Sequence, residues 1–490
     1  MSPPTPSRAS NSHISGVHDK TLITDVDFLG RQRPGETQAA SAPTPSQTEA
    51  QKFAKTQISA ALMESVDFAV VSNMPIGQAR LEISEIVAEI IMIRGLRLSI
   101  AEQAAIVSDI CDDLFGFGPL EPLLARGDIG DIMVNGPHDI FIELAGKIEK
   151  TDIKFRDDKH LLDICQRMVA KVGRSVDARN PACDARLEDG SRINVIIPPL
   201  SIHGPVLTVR KFNKERLRLR DLVDFGSISV AGAKLLAIIS ACQCNIIVSG
   251  GTGSGKTTLL NCITAFIDSK ERIITLEDAA ELQLQQPHVI SLETRPANME
   301  GQGAVTMRAL MKNCLRMRPE RIIVGEVRGP EAMDLLQAMN TGHDGSMGTL
   351  HANTPRDALA RMEAMICMGP SSLPPASIRQ MIASSVDIIV QTSRLRDGSR
   401  RITHITEVLG MTGDVVTTQD LLTFSADPPS ETANGACNKI TGRFISSGIA
   451  RPGFWDRAVY FGLAEKLTAA LEEAGAPKYR PAPVAMKPNT

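Results

Sequence analysis

The chain has 490 residues, a length that accommodates two or three domains, because single hydrophobic cores stop growing near about 250–300 residues. Its 53 Lys and Arg residues nearly balance its 56 Asp and Glu residues, so the overall charge gives no reason to expect a polyanionic partner. The Ser/Pro-rich start lacks the apolar core of a secretory signal, and no run of about 18 uninterrupted apolar residues predicts a transmembrane helix. The sequence therefore predicts a protein without a membrane span of its own.

The cysteines favour a reducing compartment. They lie mostly in apolar surroundings and show no C-x-x-C spacing, which is typical of buried, unpaired thiols. Cys242 and Cys244 form a C-x-C, but no second pair or nearby histidine completes a tetrahedral set, so we expect no zinc site. The nine cysteines are at positions 111, 165, 183, 242, 244, 262, 314, 367 and 437.

The first half of the chain divides into a tail, a helical segment and a small domain. Residues 1–50 are rich in Ser, Thr and Pro, and we predict a disordered tail because so few apolar residues cannot offset the entropy of ordering. Residues 51–114 have helical periodicity, with Ser99 and Glu102 spaced as a capping box before an apolar stripe.

Residues 115–212 have the pattern of a small α/β domain. The pattern predicts strands at 129–134, 140–143, 193–197 and 206–210, and a helix over 161–172. A basic linker, residues 213–220, follows; the stretch 210–220 holds six basic residues and one acid. It is either a solvated connection or a positive strip near bound phosphate or a neighbouring subunit.

Residues 221–475 alternate strands with helical patterns, which predicts a mostly parallel sheet with helices on both faces. The expected strands are 245–249, 273–276, 322–324 and 386–390. A Pro/Gly/Asn-containing insert at 426–439 precedes an amphipathic helical segment at 456–471. Residues 476–490 are predicted to be a frayed tail.

A phosphate-binding P-loop lies between the predicted strand at 245–249 and a helical pattern. A strand delivers the chain, glycines permit the tight turn, and the start of a helix presents unpaired N–H groups to phosphate. Lys256 is expected to contact the β- and γ-phosphates, and the Thr257 hydroxyl to bind Mg²⁺. The predicted nucleotide-binding residues are Gly250, Gly251, Thr252, Gly253, Ser254, Gly255, Lys256, Thr257 and Thr258.

Two acidic sites follow predicted strands. Glu277 and Asp278 come directly after the strand at 273–276, and Glu326 ends the hydrophobic strand that begins near Arg321. Because the carboxyl ends of parallel strands form the ligand-binding edge of such a sheet, these carboxylates could orient a water or contact the Mg²⁺ shell. Glu326 is in the position of a Walker-B acid. The alternative for the first site is a solvated acidic turn.

Basic residues surround the second acidic site. Residues 307–330 contain six basic residues and two acids, a surplus that could stabilise phosphoryl charge, bind nucleic acid or pair with acids across a subunit boundary. His343 and His351 then lie in a glycine-rich segment. They suggest a γ-phosphate sensor, although a structural role is the usual one for a lone histidine and zinc is disfavoured by their spacing.

These motifs, in their order and spacing, resemble the secretion ATPase superfamily, which powers type II and type IV secretion and type IV pili. The resemblance covers roughly residues 80–475. Within the superfamily, the runs at 282–288, 293–296 and 407–411 resemble the tight-adherence (Flp) pilus assembly ATPases. The four-cysteine zinc module of type II members is missing, which favours the same branch.

The resemblance implies a RecA-like P-loop ATPase core with a smaller α/β N-terminal domain and a helical N-terminal segment, assembled as a homo-hexamer that uses ATP and Mg²⁺. It implies that Lys256 and Thr257 contact phosphate and Mg²⁺, and that Glu277 is the catalytic carboxylate. Glu326 would be the Walker-B acid in the Mg²⁺ shell, directly or through water. Arg192 and Arg210 would close onto the γ-phosphate, and His343 and His351 would form a histidine box.

The resemblance also implies a function: ATP hydrolysis that drives assembly of a Flp-type pilus or related secretion machine. Such a protein is cytoplasmic and docks on the inner membrane through pilus platform proteins; whether it also retracts the pilus stays open. A RecA-like nucleic-acid motor is one alternative, disfavoured because aromatics make up 3% of the chain and Trp455 is its one tryptophan. We expect no nucleic-acid partner. A nucleotide-gated scaffold without turnover is the other alternative.

Overall fold

A computed structural model describes two parts of the chain. It describes Ala54, Gln57, Ile58, Ala61 and Leu62, and then residues 74–478 except 145, 213–215, 296, 298–301, 370–372 and 428–439. The predicted tail at 1–50, most of the 426–439 insert, part of the linker and residues 479–490 lie outside the described residues.

Two helices of the N-terminal segment lie wholly within the described residues. Helix α1 spans Ile76–Ile93 and α2 spans Ile100–Phe115. The predicted capping box is present, because the Ser99 side chain accepts from the Glu102 backbone while the Glu102 carboxylate accepts from the Ser99 N–H at 2.7 Å. The two helices pack through buried aliphatic residues on their facing sides, together with Ile58 and Leu62.

The small domain is a six-stranded antiparallel sheet covered by a helix. After a 3₁₀ turn at Gly118–Leu120 and helix α3 (Glu121–Ala125), the strands run in the order β3-β2-β1-β6-β5-β4. Helix α4 (Asp158–Ala170) buries its apolar side against them. The strands are β1 (Ile129–Asn135), β2 (Ile140–Leu144), β3 (Lys147–Lys150), β4 (Ala182–Arg186), β5 (Arg192–Ile196) and β6 (Val206–Arg210).

The larger domain is built on a nine-stranded sheet in the order β15-β14-β13-β12-β7-β11-β10-β8-β9. The six strands from β12 to β9 in this order are parallel, and β13 to β15 continue the sheet as antiparallel neighbours. The strands are β7 (Ile246–Gly250), β8 (Ile273–Glu277), β9 (Val289–Glu293), β10 (Arg321–Val324), β11 (Met347–Leu350), β12 (Ile388–Arg394), β13 (Arg400–Thr412), β14 (Val415–Ala426) and β15 (Gly442–Ser446).

Helices cover both faces of this sheet. Along β7, Ile246 and Val248 join one core while Ile247 joins the other, because successive side chains of a strand point to opposite faces. The first face carries α5 (Leu219–Asp224), α6 (Val230–Ala241), α7 (Lys256–Thr264), α12 (Trp455–Tyr460) and α13 (Ala464–Glu473). The second carries α8 (Met307–Cys314), α9 (Glu331–Asn340), α10 (Pro355–Cys367) and α11 (Pro375–Ser385).

The α/β architecture with a mostly parallel sheet agrees with the expectation from the sequence, and three features differ from it. The long antiparallel extension β13–β15 was not predicted, nor were β3 and β4. The predicted amphipathic segment at 456–471 forms two helices, α12 and α13, instead of one. Cys242 and Cys244 are fully buried on the first face, where burial raises the pKa of Cys242 to about 12.

A polar cluster fixes the amino-terminal edge of the parallel strands. The Asn245 side-chain oxygen accepts from the N–H groups of Gly345 and Ser346 at 2.9 and 3.2 Å, and its amide donates to Met339 and Ser385 carbonyls. Nearby, the Arg321 guanidinium is 1% exposed and forms a two-bond ion pair with Glu271, which also lies at this edge. Because each charge is desolvated, each depends on the other.

We expect Glu271→Ala to lower the free energy of unfolding by about 3 kcal/mol, because it leaves the Arg321 charge buried and unpaired. Asp456→Ala is the matched control, since its ion pair with Arg451 is solvent-exposed and such pairs contribute about 0–1 kcal/mol. Urea unfolding followed by circular dichroism compares the two variants with the natural protein. Equal effects of the two substitutions would contradict a structural role for the buried pair.

Candidate active site

The P-loop adopts a conformation that only its glycines permit. Between the end of β7 and the start of α7, Gly253 and Gly255 have φ values of +69° and +95°, in the left-handed region that glycine enters without steric cost. A Cβ on Gly250 would collide with the side-chain oxygens of Ser254 and Thr392. Among the described residues, no side chain caps α7, so the N–H groups of its first turn are available to an anion.

The parallel strands bring the other predicted groups to the same edge. Leu276 of β8 lies opposite Val324 of β10, so Glu277 and Glu326 follow on adjacent strands. Strand β11 lies between β10 and β7, and His351 directly follows it. Glu277, Glu326 and His351 therefore meet at the carboxyl edge that carries the P-loop, as expected for a nucleotide site on such a sheet.

Lys256, His351 and Glu326 form a connected polar chain. The Lys256 ammonium is 8% exposed, donates to the carbonyls of Gly250 and Gly251 at 3.1 and 3.0 Å, and lies 3.3 Å from His351 Nε2. The same imidazole nitrogen lies 3.1 Å from Glu326 Oε1. Glu326 in turn accepts two bonds from Arg328 at 2.7 and 2.8 Å, a bidentate geometry that favours its ionised form.

These contacts set the charges of the chain at neutral pH. Burial lowers the pKa of Lys256, although Glu326 opposes the shift. Burial and the Lys256 charge lower the pKa of His351 below 6.5, so the imidazole is neutral near pH 7. Burial disfavours ionisation of Glu326, but the hydrogen bond and charge of Arg328 outweigh it and lower the pKa of Glu326.

Glu277 is in a different environment from Glu326. Its side chain is 3% exposed, and Oε1 accepts from the N–H groups of Glu281 and Leu282 at 2.9 and 3.0 Å. Oε2 is buried without a hydrogen-bond partner among the described residues. Burial raises the pKa of Glu277 to about 7 despite the two N–H bonds. A Cβ on Gly325 would stand 2.7 Å from Glu277 Cγ, so glycine at this position makes room for the carboxylate.

The small domain contacts the acidic box through arginines of β4 and β5. Arg186 forms an ion pair with Glu293 at 2.9 Å and donates to the Ala280 carbonyl at 2.9 Å. Arg192 forms an ion pair with Glu281 at 2.9 Å. The acidic cluster after β8 is thus a docking edge for the small domain as well as a neighbour of the P-loop.

A cavity of about 200 Å³ lies between the two domains beside the P-loop. Arg192 and Arg210, which are register partners on β5 and β6, line it from one side, and Thr257 and Thr258 line it from the other. In this arrangement Arg210 also bonds Asp131 at 3.3 Å. The remaining lining residues are Gly190, Lys211, Phe212, Arg216, Leu217, Asn261, Glu281, Gln283 and Gln285.

One predicted site residue lies elsewhere. His343 precedes β11, at the amino edge of the parallel strands, and its Nδ1 lies 3.2 Å from the Ala338 carbonyl. His343 therefore lies at the opposite edge of the sheet from Lys256, and the fold of this chain does not bring it to the P-loop. Its glycine-rich neighbours are instead fixed by Asn245.

The structure adds groups that the sequence did not single out. Thr392 of β12 bonds the P-loop Ser254 hydroxyl at 2.8 Å, and Arg400 of β13 donates to the P-loop carbonyl of Gly253 at 2.9 Å. Arg394 lies beside them at the end of β12. No local motif marks these residues, because they reach the loop only through the pairing of β12 with β7.

The donor set at this edge fits magnesium. Mg²⁺ takes oxygen ligands and in nucleotide sites is held by one or two protein oxygens together with substrate phosphates. The Thr257 hydroxyl and the Glu326 carboxylate are such donors, and Thr257 lines the interdomain cavity. Over the described ranges, no group of three or more His, Cys, Asp or Glu residues is placed to hold a metal ion without such a substrate.

Comparison with known proteins gives consistent matches. A protein of Mycobacterium tuberculosis (strain ATCC 25618 / H37Rv) named for conjugal transfer is 38% identical over 299 residues, or 60% of this chain and 84% of the relative. The type IV secretion system protein VirB11 of Brucella suis biovar 1 is 31% identical over 322 residues, or 60% and 89%. The crystal structure of the Brucella suis VirB11 ATPase with sulphate matches at 29% identity, 59% and 94% coverage and a TM-score of 0.32.

The helices and the family model complete the comparison. Within the described part of the chain, every helix is too short or too polar to cross a bilayer. The model of the type II/IV secretion system protein family matches residues 113–438, which include the P-loop, both acidic sites and His351. This 490-residue chain is a member of the type II/IV secretion system protein family.

Proposed function

We propose that this protein hydrolyses ATP and uses the hydrolysis to drive assembly of a Flp-type pilus. The observation that carries the hydrolysis is Glu277, a buried carboxylate at the same sheet edge as the P-loop lysine, with one oxygen that no described residue bonds. A scaffold that only binds nucleotide has no need of a base whose pKa is about 7, whereas a hydrolase does.

Each group at the edge has a role suited to its environment. Magnesium, when bound through Thr257 and Glu326, neutralises charge on the phosphates. Lys256, which now donates to two loop carbonyls, would transfer these bonds to phosphate oxygens. The ionised Glu277 would accept the proton of the attacking water through Oε2. The neutral His351 would donate to Glu326 and hold that carboxylate in place.

The small domain supplies positive charge from the other side of the cavity. Arg192 and Arg210 face Thr257 and Thr258 across it, and both now pair with carboxylates, Glu281 and Asp131. These pairs are partly exposed and therefore weak, so a more highly charged triphosphate can displace them. Arginine suits this exchange because its planar fork binds carboxylate and phosphate alike.

The pilus assignment is supported by sequence runs and by the family. The segments 282–288, 293–296 and 407–411 have the pattern of the tight-adherence branch, and the relatives are named for conjugal transfer and type IV secretion. In this proposal the protein assembles as a homo-hexamer, occupies the cytoplasmic face of the inner membrane and engages pilus platform proteins there.

We expect Lys256→Ala and Glu326→Gln each to lower kcat for ATP hydrolysis by at least about 100-fold, because each removes a charge that acts on the phosphates. The measurement is phosphate release at saturating magnesium and ATP. Glu363→Gln is the matched control, since Glu363 pairs with Arg379 on the second face, and it should retain natural activity. Full activity of Glu326→Gln would refute the role given to that carboxylate.

We expect kcat/KM for ATP to rise with pH through about 7, the pKa to which burial raises Glu277. The direction of this pH dependence follows from the role of Glu277 as a base. Below about pH 7 its carboxyl is protonated and cannot accept a proton, so activity is lost towards acid. Burial and the Lys256 charge lower the pKa of His351, which displaces its titration towards acid and away from this limb. Phosphate release between about pH 3.5 and 9 measures the profile. A limb centred near 4.5, the ordinary value, would exclude Glu277 as the ionising group.

We expect hydrolysis to increase several-fold, roughly 3- to 10-fold, when the protein meets an integral-membrane pilus platform protein in nanodiscs, because docking restrains the small domain over the cavity. Empty nanodiscs and single-stranded DNA are the comparison arms. Stimulation by DNA alone would favour a nucleic-acid motor, and no response to the platform would contradict the pilus assignment.

A further inference from the structure

The hairpin formed by β12 and β13 is a second wall of the P-loop. Strand β12 pairs with β7 so that Thr392 lies opposite Gly250, the first residue of the loop. The Thr392 and Ser254 hydroxyls are 2.8 Å apart. Beyond this contact, Arg394 at the end of β12 and Arg400 at the start of β13 are register partners. Both arginines therefore emerge from the hairpin next to the loop.

Arg400 holds the outer side of the P-loop. Its Nε donates to the Gly253 carbonyl at 2.9 Å, and its Cδ lies 3.5 Å from the position of a Cβ on Gly255. In a P-loop the backbone N–H groups point inwards to the phosphate, so an outward carbonyl is where a protein donor can fix the turn. A bond from a charged donor to a carbonyl is stronger than a neutral one.

Arg394 reaches from the same place to the small domain. Its Nη2 donates to the carbonyl of Gly146, in the turn between β2 and β3. Its Nη1 lies 3.6 Å from the position of a Cβ on Gly253. One side chain therefore lies against the P-loop turn and is bonded to the other domain.

Hydrogen bonds within the turn between β12 and β13 fix its conformation, so Arg394 and Arg400 project from one ordered hairpin. Asp397 accepts from the Ser399 hydroxyl at 2.6 Å and from its N–H at 3.0 Å. Leu395 and Ser399 close the turn through a backbone bond of 2.8 Å. Displacement of one arginine is thus passed to the other through the hairpin.

We propose that Arg394 and Arg400 are positioning residues that couple the phosphate loop to the small domain: Arg400 fixes the loop at Gly253, and Arg394 ties the hairpin to Gly146. Phosphate binding in the loop then biases where the small domain, with Arg192 and Arg210, is held. This coupling rests on the proposed function, because it assigns regulation to the same nucleotide site. It lies on the side of the loop away from Glu277 and Glu326.

The two arginines should give different kinetic effects. We expect Arg400→Ala to raise KM for ATP about fivefold with kcat within about twofold, because a looser P-loop weakens ground-state binding. Arg394→Ala should lower kcat about fivefold with KM within about twofold, because the loop is intact and domain placement is lost. Arg400→Lys and Arg394→Lys should recover most of each loss, since each bond uses a single N–H donor.

Arg443→Ala is the matched control. Arg443 is an exposed arginine of β15, at the far edge of the same sheet from the loop, and its substitution should change neither constant. Hydrogen exchange supplies a readout that does not depend on turnover. A non-hydrolysable ATP analogue with magnesium should slow exchange in β2 and β3 of the natural protein and of Arg443→Ala, but not of Arg394→Ala.

The outcomes separate this inference from the proposed function. If the natural protein does not hydrolyse ATP, the proposed function fails, and the exchange experiment still tests the coupling. If hydrolysis is normal but both alanine variants keep natural KM and kcat, or β2 and β3 are equally protected in Arg394→Ala, the coupling is overturned. Should either alanine variant fail to fold, the methionine variants Arg394→Met and Arg400→Met decide, because methionine keeps an unbranched stem but has no N–H donor. The shifts expected for the alanine variants then support the proposal, and natural constants with natural protection overturn it.

Discussion

The backbone hydrogen-bond ladder that keeps β7, β11, β10 and β8 parallel and in register is the constraint on which the site depends. It ends four strands at one edge, so a loop lysine, two carboxylates and an imidazole that are up to about one hundred residues apart in the chain become neighbours. The helices contribute by burying the strands on both faces, which leaves the edge as the place where polar groups can gather. Their surroundings then give the two carboxylates different pKa values. Burial raises the pKa of Glu277 to about 7, whereas Arg328 lowers the pKa of Glu326.

The second half of the site belongs to another domain, and the two are joined mainly by charge. The described contacts between them include Arg186 with Glu293, Arg192 with Glu281 and Arg394 with the Gly146 carbonyl. Ion pairs at this degree of exposure are individually weak and are screened by salt. In the proposed function a triphosphate competes for Arg192, so nucleotide state and the placement of the small domain would be linked by ordinary electrostatics.

Local motifs predicted the P-loop, Glu277 and Glu326, because strand–loop–helix order and strand ends can be read from a short window. Arg192 and Arg210 were expected only from the family resemblance. What the motifs missed depends on pairing between distant segments. Arg394 and Arg400 reach the P-loop through the pairing of β12 with β7, strands that are separated by more than one hundred residues. Asn245 bonds a different loop, the glycine-rich segment before β11 that the sequence suggested as a phosphate sensor. The placement of His343 beside the P-loop was wrong for a local reason: a glycine-rich segment with two histidines suggested one box, but β11 lies between them and carries them to opposite edges of the sheet. The roles of the site residues remain predictions.

The amide of Asn245 and the Arg321–Glu271 pair give the large domain mechanical asymmetry. The amino-terminal edge of its parallel strands is held by desolvated polar bonds, which tolerate little displacement. The carboxyl edge contacts the small domain through solvated ion pairs, which are individually weak. The amino-terminal edge of the sheet is therefore rigid, and the contacts at the carboxyl edge can rearrange. If the protein hydrolyses ATP as proposed, the released energy would therefore move the small domain rather than deform the sheet.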